Sequence, residues 1–160
     1  MHCTKPTRVV PISFDTAELV ASNLGGYGPD TWFAPALRFA NVGSTFVEGL
    51  GAFRLDLHAT AGAGYVPDDP AKNGLNGKFA QINMRASQRA TFRFCFVESG
   101  TYTPVTIDSV AFTFYDFDNG RMATTDDMPA AVEKLHVSNF SSFDIPHKRS
   151  GLCVLRDEFS

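Results

Sequence analysis

No stretch of this sequence approaches the roughly 20 consecutive apolar residues that a membrane-spanning helix needs, so no membrane span is expected. Like charges never run beyond two residues, as at Lys148-Arg149, and the net charge is −3. Nucleic-acid binding draws on a basic stripe that displaces counterions; without one, a nucleic-acid partner is not expected. Cysteine is scarce. Cys3, Cys95 and Cys153 show no Cys-x-x-Cys spacing, which excludes a zinc knuckle and a thioredoxin-type redox motif. A Cys3–Cys153 disulfide and three free thiols both fit that count, depending on the redox compartment. The opening Met1-His2-Cys3-Thr4-Lys5-Pro6 lacks the apolar run of a signal peptide. A location in an organelle lumen or outside the cell therefore calls for a targeting segment absent from this chain.

Helical periodicity is also lacking. Only residues 128–134, with Asp127 before them and Pro129 near their start, suggest a helical turn. What recurs instead is short apolar runs bounded by Gly, Pro, Asn and Asp. Strands are predicted over 9–14, 36–41, 52–60, 78–84, 90–98, 109–117, 133–138 and 152–155. In 90–98, Phe92, Phe94 and Phe96 alternate with Thr91, Arg93, Cys95 and Val97, the period of an antiparallel strand with one wet face. Turn chemistry fills 25–30, 67–70 and 73–77. The 160 residues, 15 of them Phe, suffice for one packed core. The expected fold is a single all-β domain, an antiparallel β-sandwich or jelly roll of about eight strands with little helix.

The richest segment is Phe112-Thr113-Phe114-Tyr115-Asp116-Phe117-Asp118-Asn119-Gly120. Val110, Phe112, Phe114, Asp116 and Asp118 share one parity, so a face that begins as core ends in two carboxylates. Buried carboxylates are costly unless something positive meets them. Two arrangements relieve that cost: the strand ends in solvent and pairs with Arg38, Arg54 or Lys78, or the two aspartates hold a cation. Calcium takes six to eight oxygens. Asp56, a charge inside the apolar Phe53-Arg54-Leu55-Asp56-Leu57, is the first remote candidate ligand, and Asn41 follows. An EF-hand does not fit, because Arg121 stands where its loop needs glycine.

Catalytic constellations are missing. His2, His58, His136 and His147 show no zinc-binding His-x-x-x-His spacing. There is no Gly-x-Ser-x-Gly, and Gly25-Gly26-Tyr27-Gly28 leads into Pro29-Asp30 rather than a lysine and a helix. The chain is not expected to be an enzyme. Trp32, Tyr27 and Tyr65 fall in turn regions, where aromatics either cover the core or meet a ligand or partner.

Two blocks carry a family likeness: Asn73-Gly74-Leu75-Asn76-Gly77-Lys78-Phe79, and Thr113-Phe114-Tyr115-Asp116-Phe117-Asp118. With Leu37-Arg38-Phe39-Ala40-Asn41 before them, they make residues 24–143 resemble a group of β-sandwich domains from marine microalgae with looser bacterial extracellular relatives. The resemblance implies a calcium-type position at Asp116 and Asp118, with Asp56 as the corresponding aspartate of the earlier strand. The function expected is a non-catalytic structural or assembly subunit, of an algal shell or photosynthetic complex, stabilised by calcium and associated with other protein subunits. The alternative is a calcium-dependent carbohydrate-binding module.

Overall fold

A four-stranded antiparallel sheet organises the described part of the chain. The computed structural model describes residues 9–47, 51–107, 109–115, 134–138, 142 and 144. In chain order the strands are β1 (Val9–Val10), β2 (Glu18–Ser22), β3 (Leu37–Val47), β4 (Gly51–Ala61), β5 (Gly74–Asn76), β6 (Phe79–Gln81), β7 (Phe92–Glu98) and β8 (Ser109–Val110). The main sheet has the order β2-β3-β4-β7; β5 and β6 form a hairpin, and β1 pairs with β8 in parallel. Helix is confined, among the described residues, to single 3-10 turns at Leu24–Gly26 and Pro70–Lys72. The fold is all-β, with its larger sheet antiparallel throughout.

Strand parity decides which face is core. Leu55, Leu57 and Ala59 alternate along β4, and the register sets Leu37 opposite Ala59, Phe39 opposite Leu57 and Phe96 opposite Leu57 from the other side. These side chains are buried together with Val10, Leu24, Val42 and Tyr65. Each buried leucine or phenylalanine contributes roughly 1.5–3 kcal/mol of apolar transfer. Phe14 meets Phe39 edge to face, with ring centroids 5.4 Å apart. The alternate positions, Arg38 on β3, Arg54, Asp56, His58 and Thr60 on β4, and Arg93, Cys95 and Val97 on β7, form the outer face.

Several expectations need correction. β2 arises where the sequence pattern predicts no strand: Glu18-Leu19-Val20-Ala21-Ser22 does not alternate cleanly, because a register shift falls between Leu19 and Ala21. Residues 73–77 are predicted as a turn, yet Gly74–Asn76 is a strand that folds back on Phe79–Gln81. Of the aromatic run predicted as a strand over 109–117, the described residues form a strand at Ser109–Val110 and none over 111–115; residues 116–117 lie outside the described residues. Alternation marks a strand that has an edge to pair with, and among the described residues β1 offers two. Residues 134–138, also predicted as strand, have no regular structure. Of the helical turn predicted over 128–134, residues 128–133 lie outside the described residues, as do the strand predicted over 152–155 and both Cys3 and Cys153.

The chain divides into two compact units, Met1–Phe112 and Thr113–Ser160. The first holds every strand named above. In the second, the described residues contain no helix or strand.

Candidate binding face

Among the described residues, Asp56 is the one acidic side chain buried in the sheet, at 4% exposure. Its position follows from a bulge in β3. Phe39 lies opposite Leu57 and Gly43 opposite Leu55, so β3 uses four residues where β4 uses two. Within the bulge Asn41 takes φ +63, a left-handed conformation that asparagine tolerates better than most residues. The freed N–H of Asn41 donates to Asp56 Oδ1 at 3.0 Å. On the other side, the N–H of Gly100 donates to Asp56 Oδ2 at 2.9 Å, and the Ser99 side chain adds a third hydrogen bond. Burial pushes the Asp56 carboxyl up, but the hydrogen bonds from Gly100, Ser99 and Asn41, with the nearby His58, outweigh it and hold the carboxyl below its usual range.

That arrangement explains the charge in an apolar strand without a metal. Both Asp56 oxygens accept backbone N–H groups, and Asn41 Oδ1 accepts from Arg54 Nη1 at 3.3 Å. Among the described residues no three His, Cys, Asp or Glu side chains converge on a point that could hold a metal ion. Asp116 and Asp118, the first two predicted ligands, lie outside the described residues.

The Asp56–Gly100 bond anchors the turn after β7. Gly100 has φ +77, which favours glycine, and Thr101 N–H closes the turn on Glu98 O at 3.0 Å. The chain then runs back along β7, with Glu98 N–H donating to Thr103 O at 3.0 Å and Val105 N–H to Phe96 O at 2.9 Å. Tyr102, at the tip, folds over the outer face. Arg38 Nη1 donates to Tyr102 Oη at 2.7 Å, and the guanidinium carbon sits 4.3 Å from the tyrosine ring centre. Arg38 Nε donates to His58 Nε2 at 3.2 Å, and the His58 and Tyr102 rings meet edge to face at 5.6 Å. His58 therefore carries its proton on Nδ1. Burial, then the adjacent Arg38 charge, lower its basicity; Asp56 opposes them and is outweighed.

A second loop completes the face. The Arg38 guanidinium lies 5.8 Å from the Phe33 ring centre, and Trp32 and Phe33 are 6.0 Å apart. Buried Asn23 holds this loop: its Nδ2 donates to Phe33 O at 2.8 Å, its Oδ1 accepts from Gly28 N–H at 3.3 Å, and its own N–H reaches Ala36 O at 3.0 Å. Asp30 Oδ2 accepts from Ser22 N–H at 2.8 Å. A Cβ on Gly28 would overlap Ser22 O, so only glycine fits there. The result is a tryptophan 75% exposed on a loop tied at several points.

The three predicted contact aromatics thus part company. Trp32, against Phe33, and Tyr27 are exposed, but Tyr65 is buried at 4% exposure. Tyr65 Oη donates to Asn83 O and accepts from Asn73 Nδ2, both at 2.8 Å, and burial pushes the phenol up despite the Asn73 hydrogen bond. It belongs to the core. Arg38, His58 and Tyr102 are the residues that sequence reasoning missed as a site. The signal was there: Arg38 and His58 interrupt apolar strands just as Asp56 does. A shallow depression of about 480 Å³ also opens beside the bulge, lined by Pro11, Ser13, Thr16, Asn41, Gly43 and Arg54.

No family model matches this chain, and no curated protein or solved structure does either.

Proposed function

We propose that the first unit is a non-catalytic carbohydrate-binding module whose contact surface is the outer sheet face around Arg38. One observation carries this reading: Arg38 lies over the Tyr102 and Phe33 rings and is bonded to His58, and Phe33 in turn meets an exposed Trp32 on a tied loop. Sugars offer apolar C–H faces for aromatic rings and hydroxyls for a fixed donor fork. Ordering these groups before binding removes part of the entropic cost of association.

Within this proposal the architecture is a β-sandwich, related to the microalgal group that the sequence resembles, and Asp116 with Asp118 holds a stabilising calcium ion. Glycan-array binding, repeated with Trp32→Ala, tests the reading. Binding that Trp32→Ala abolishes without changing the melting temperature supports it; no glycan bound, or binding indifferent to Trp32, overturns it.

An assembly subunit is the second reading. β2 is an edge strand of the main sheet and Val20 on it is exposed, which suits pairing with another subunit. Size-exclusion chromatography separates the two: a stable oligomer without glycan binding favours assembly.

A further inference from the structure

The outer face carries more positive charge than its chain. Arg38, Arg54 and Arg93 share it by strand register, on a protein whose net charge is −3. Among the described residues, its carboxylates by strand register are Asp56, whose two oxygens are taken by backbone N–H groups, and Glu18 on the edge strand, opposite Ala40. Among the described residues, none of the three arginines forms an ion pair with either. Arg38 has given Nε to His58 and one Nη1 proton to Tyr102, which leaves its other Nη protons for a ligand. His58 stays neutral and accepts from Arg38, so it orients the guanidinium without neutralising it.

The spacing says what kind of anion suits this row. Arg54 precedes His58, the residue opposite Arg38, by four positions on β4, and Thr60, opposite Arg93, comes two positions later. At about 3.3 Å per residue the cations spread over about 20 Å. A single phosphate or sulfate meets only one of them, whereas an extended polyanion meets all three in series. Tyr102 on Arg38, and exposed Trp32 against the Phe33 that Arg38 lies over, add ring faces that a sugar backbone can use and a simple inorganic polyanion cannot.

We infer that the ligand of this face is an anionic polysaccharide, carboxylated or sulfated, lying across β3, β4 and β7 with an acidic group on Arg38. This rests on the carbohydrate-binding reading above and narrows it to a substrate class. The experiment is calorimetric titration of the full chain with a sulfated polysaccharide, a carboxylated one, a neutral one of equal length, and single-stranded DNA. Expected are binding to the acidic polysaccharides alone, an affinity that falls several-fold between about 50 and about 200 mM NaCl, and losses of about tenfold for Arg38→Ala and about threefold for Arg93→Ala. Arg93 is exposed, so its variant separates lost contact from lost folding. Trp32-dependent binding of the neutral polymer equal to the acidic ones overturns this inference and leaves the carbohydrate reading standing. Binding of no polysaccharide ends both. DNA bound as tightly as the acidic polysaccharides, without need of Trp32, would make the face a general polyanion surface and overturn the inference as well.

Discussion

Asp56 and Gly100, 44 residues apart in the chain, are joined by a 2.9 Å hydrogen bond from the glycine N–H to the carboxylate. The same carboxylate holds the β3 bulge through Asn41, so one buried charge ties the strand bearing Arg38 to the turn bearing Tyr102. Removing it should loosen both sides of this outer face at once.

Asp56→Ala leaves two backbone N–H groups without their acceptor, and each such loss costs about 1–3 kcal/mol. A destabilisation of about 2–5 kcal/mol is expected in urea unfolding, with a smaller one for Asp56→Asn. Because the role is hydrogen bonding, the loss should be the same with calcium or with EDTA. A penalty that appears only in calcium would make Asp56 a metal ligand after all.

Acid should weaken the fold in two stages. His58 has a folded pKa below its unfolded value of 6.5, so the unfolded chain takes up the proton first and stability declines as pH falls below that value. Protonation also removes the acceptor of the Arg38 Nε–H. Asp56 has a folded pKa below 3.8, so its contribution is complete above that pH and is lost as pH drops through the folded value. His58→Gln should flatten the first stage in a melting-temperature series from pH 8 to pH 3 and leave the second. A series without a decline below pH 6.5 would contradict the His58 assignment.

Gly28→Ala forces a methyl group into Ser22 O. Crowding of this kind costs about 1–3 kcal/mol, and the strain falls on the loop that positions Trp32. Weaker glycan binding is expected alongside a lower melting temperature. Unchanged binding would mean that the loop's order is irrelevant to the ligand.

The outward drift of β7 should be visible in its phenylalanines. Phe96 is buried while Phe94 is 37% exposed, with Phe112 at 5.5 Å. Phe96→Ala is expected to cost about 3–4 kcal/mol and Phe94→Ala about 1–2 kcal/mol, by truncation in proportion to burial. Equal losses would place Phe94 deeper in the core than its exposure indicates.

Calcium at Asp116 and Asp118 is carried by the sequence alone. It should raise the melting temperature on addition and lower it on chelation, since a ligand bound only by the folded state stabilises that state. Identical melting curves would remove calcium from the proposal.

The sequence by itself determined the class of fold and the anomalous residues. Period-two alternation in 52–60 and 90–98 marks β4 and β7 because side chains two apart must share a face, whatever surrounds them. Asp56 stands out for the same local reason, a charge at a strand position flanked by core leucines. Only the tertiary structure decided what those residues do. Asp56 meets Asn41 and Gly100 across sequence separations of 15 and 44, through a bulge and a turn that no local pattern announces. Tyr65 and Trp32 look alike in the chain, both aromatics in turn regions. One is drawn inward by the polar groups of Asn73 and Asn83, while the other stays in water against Phe33 because its loop is tied down short of the core. Burial is a property of the assembled neighbours, and the periodicity of one segment does not contain them.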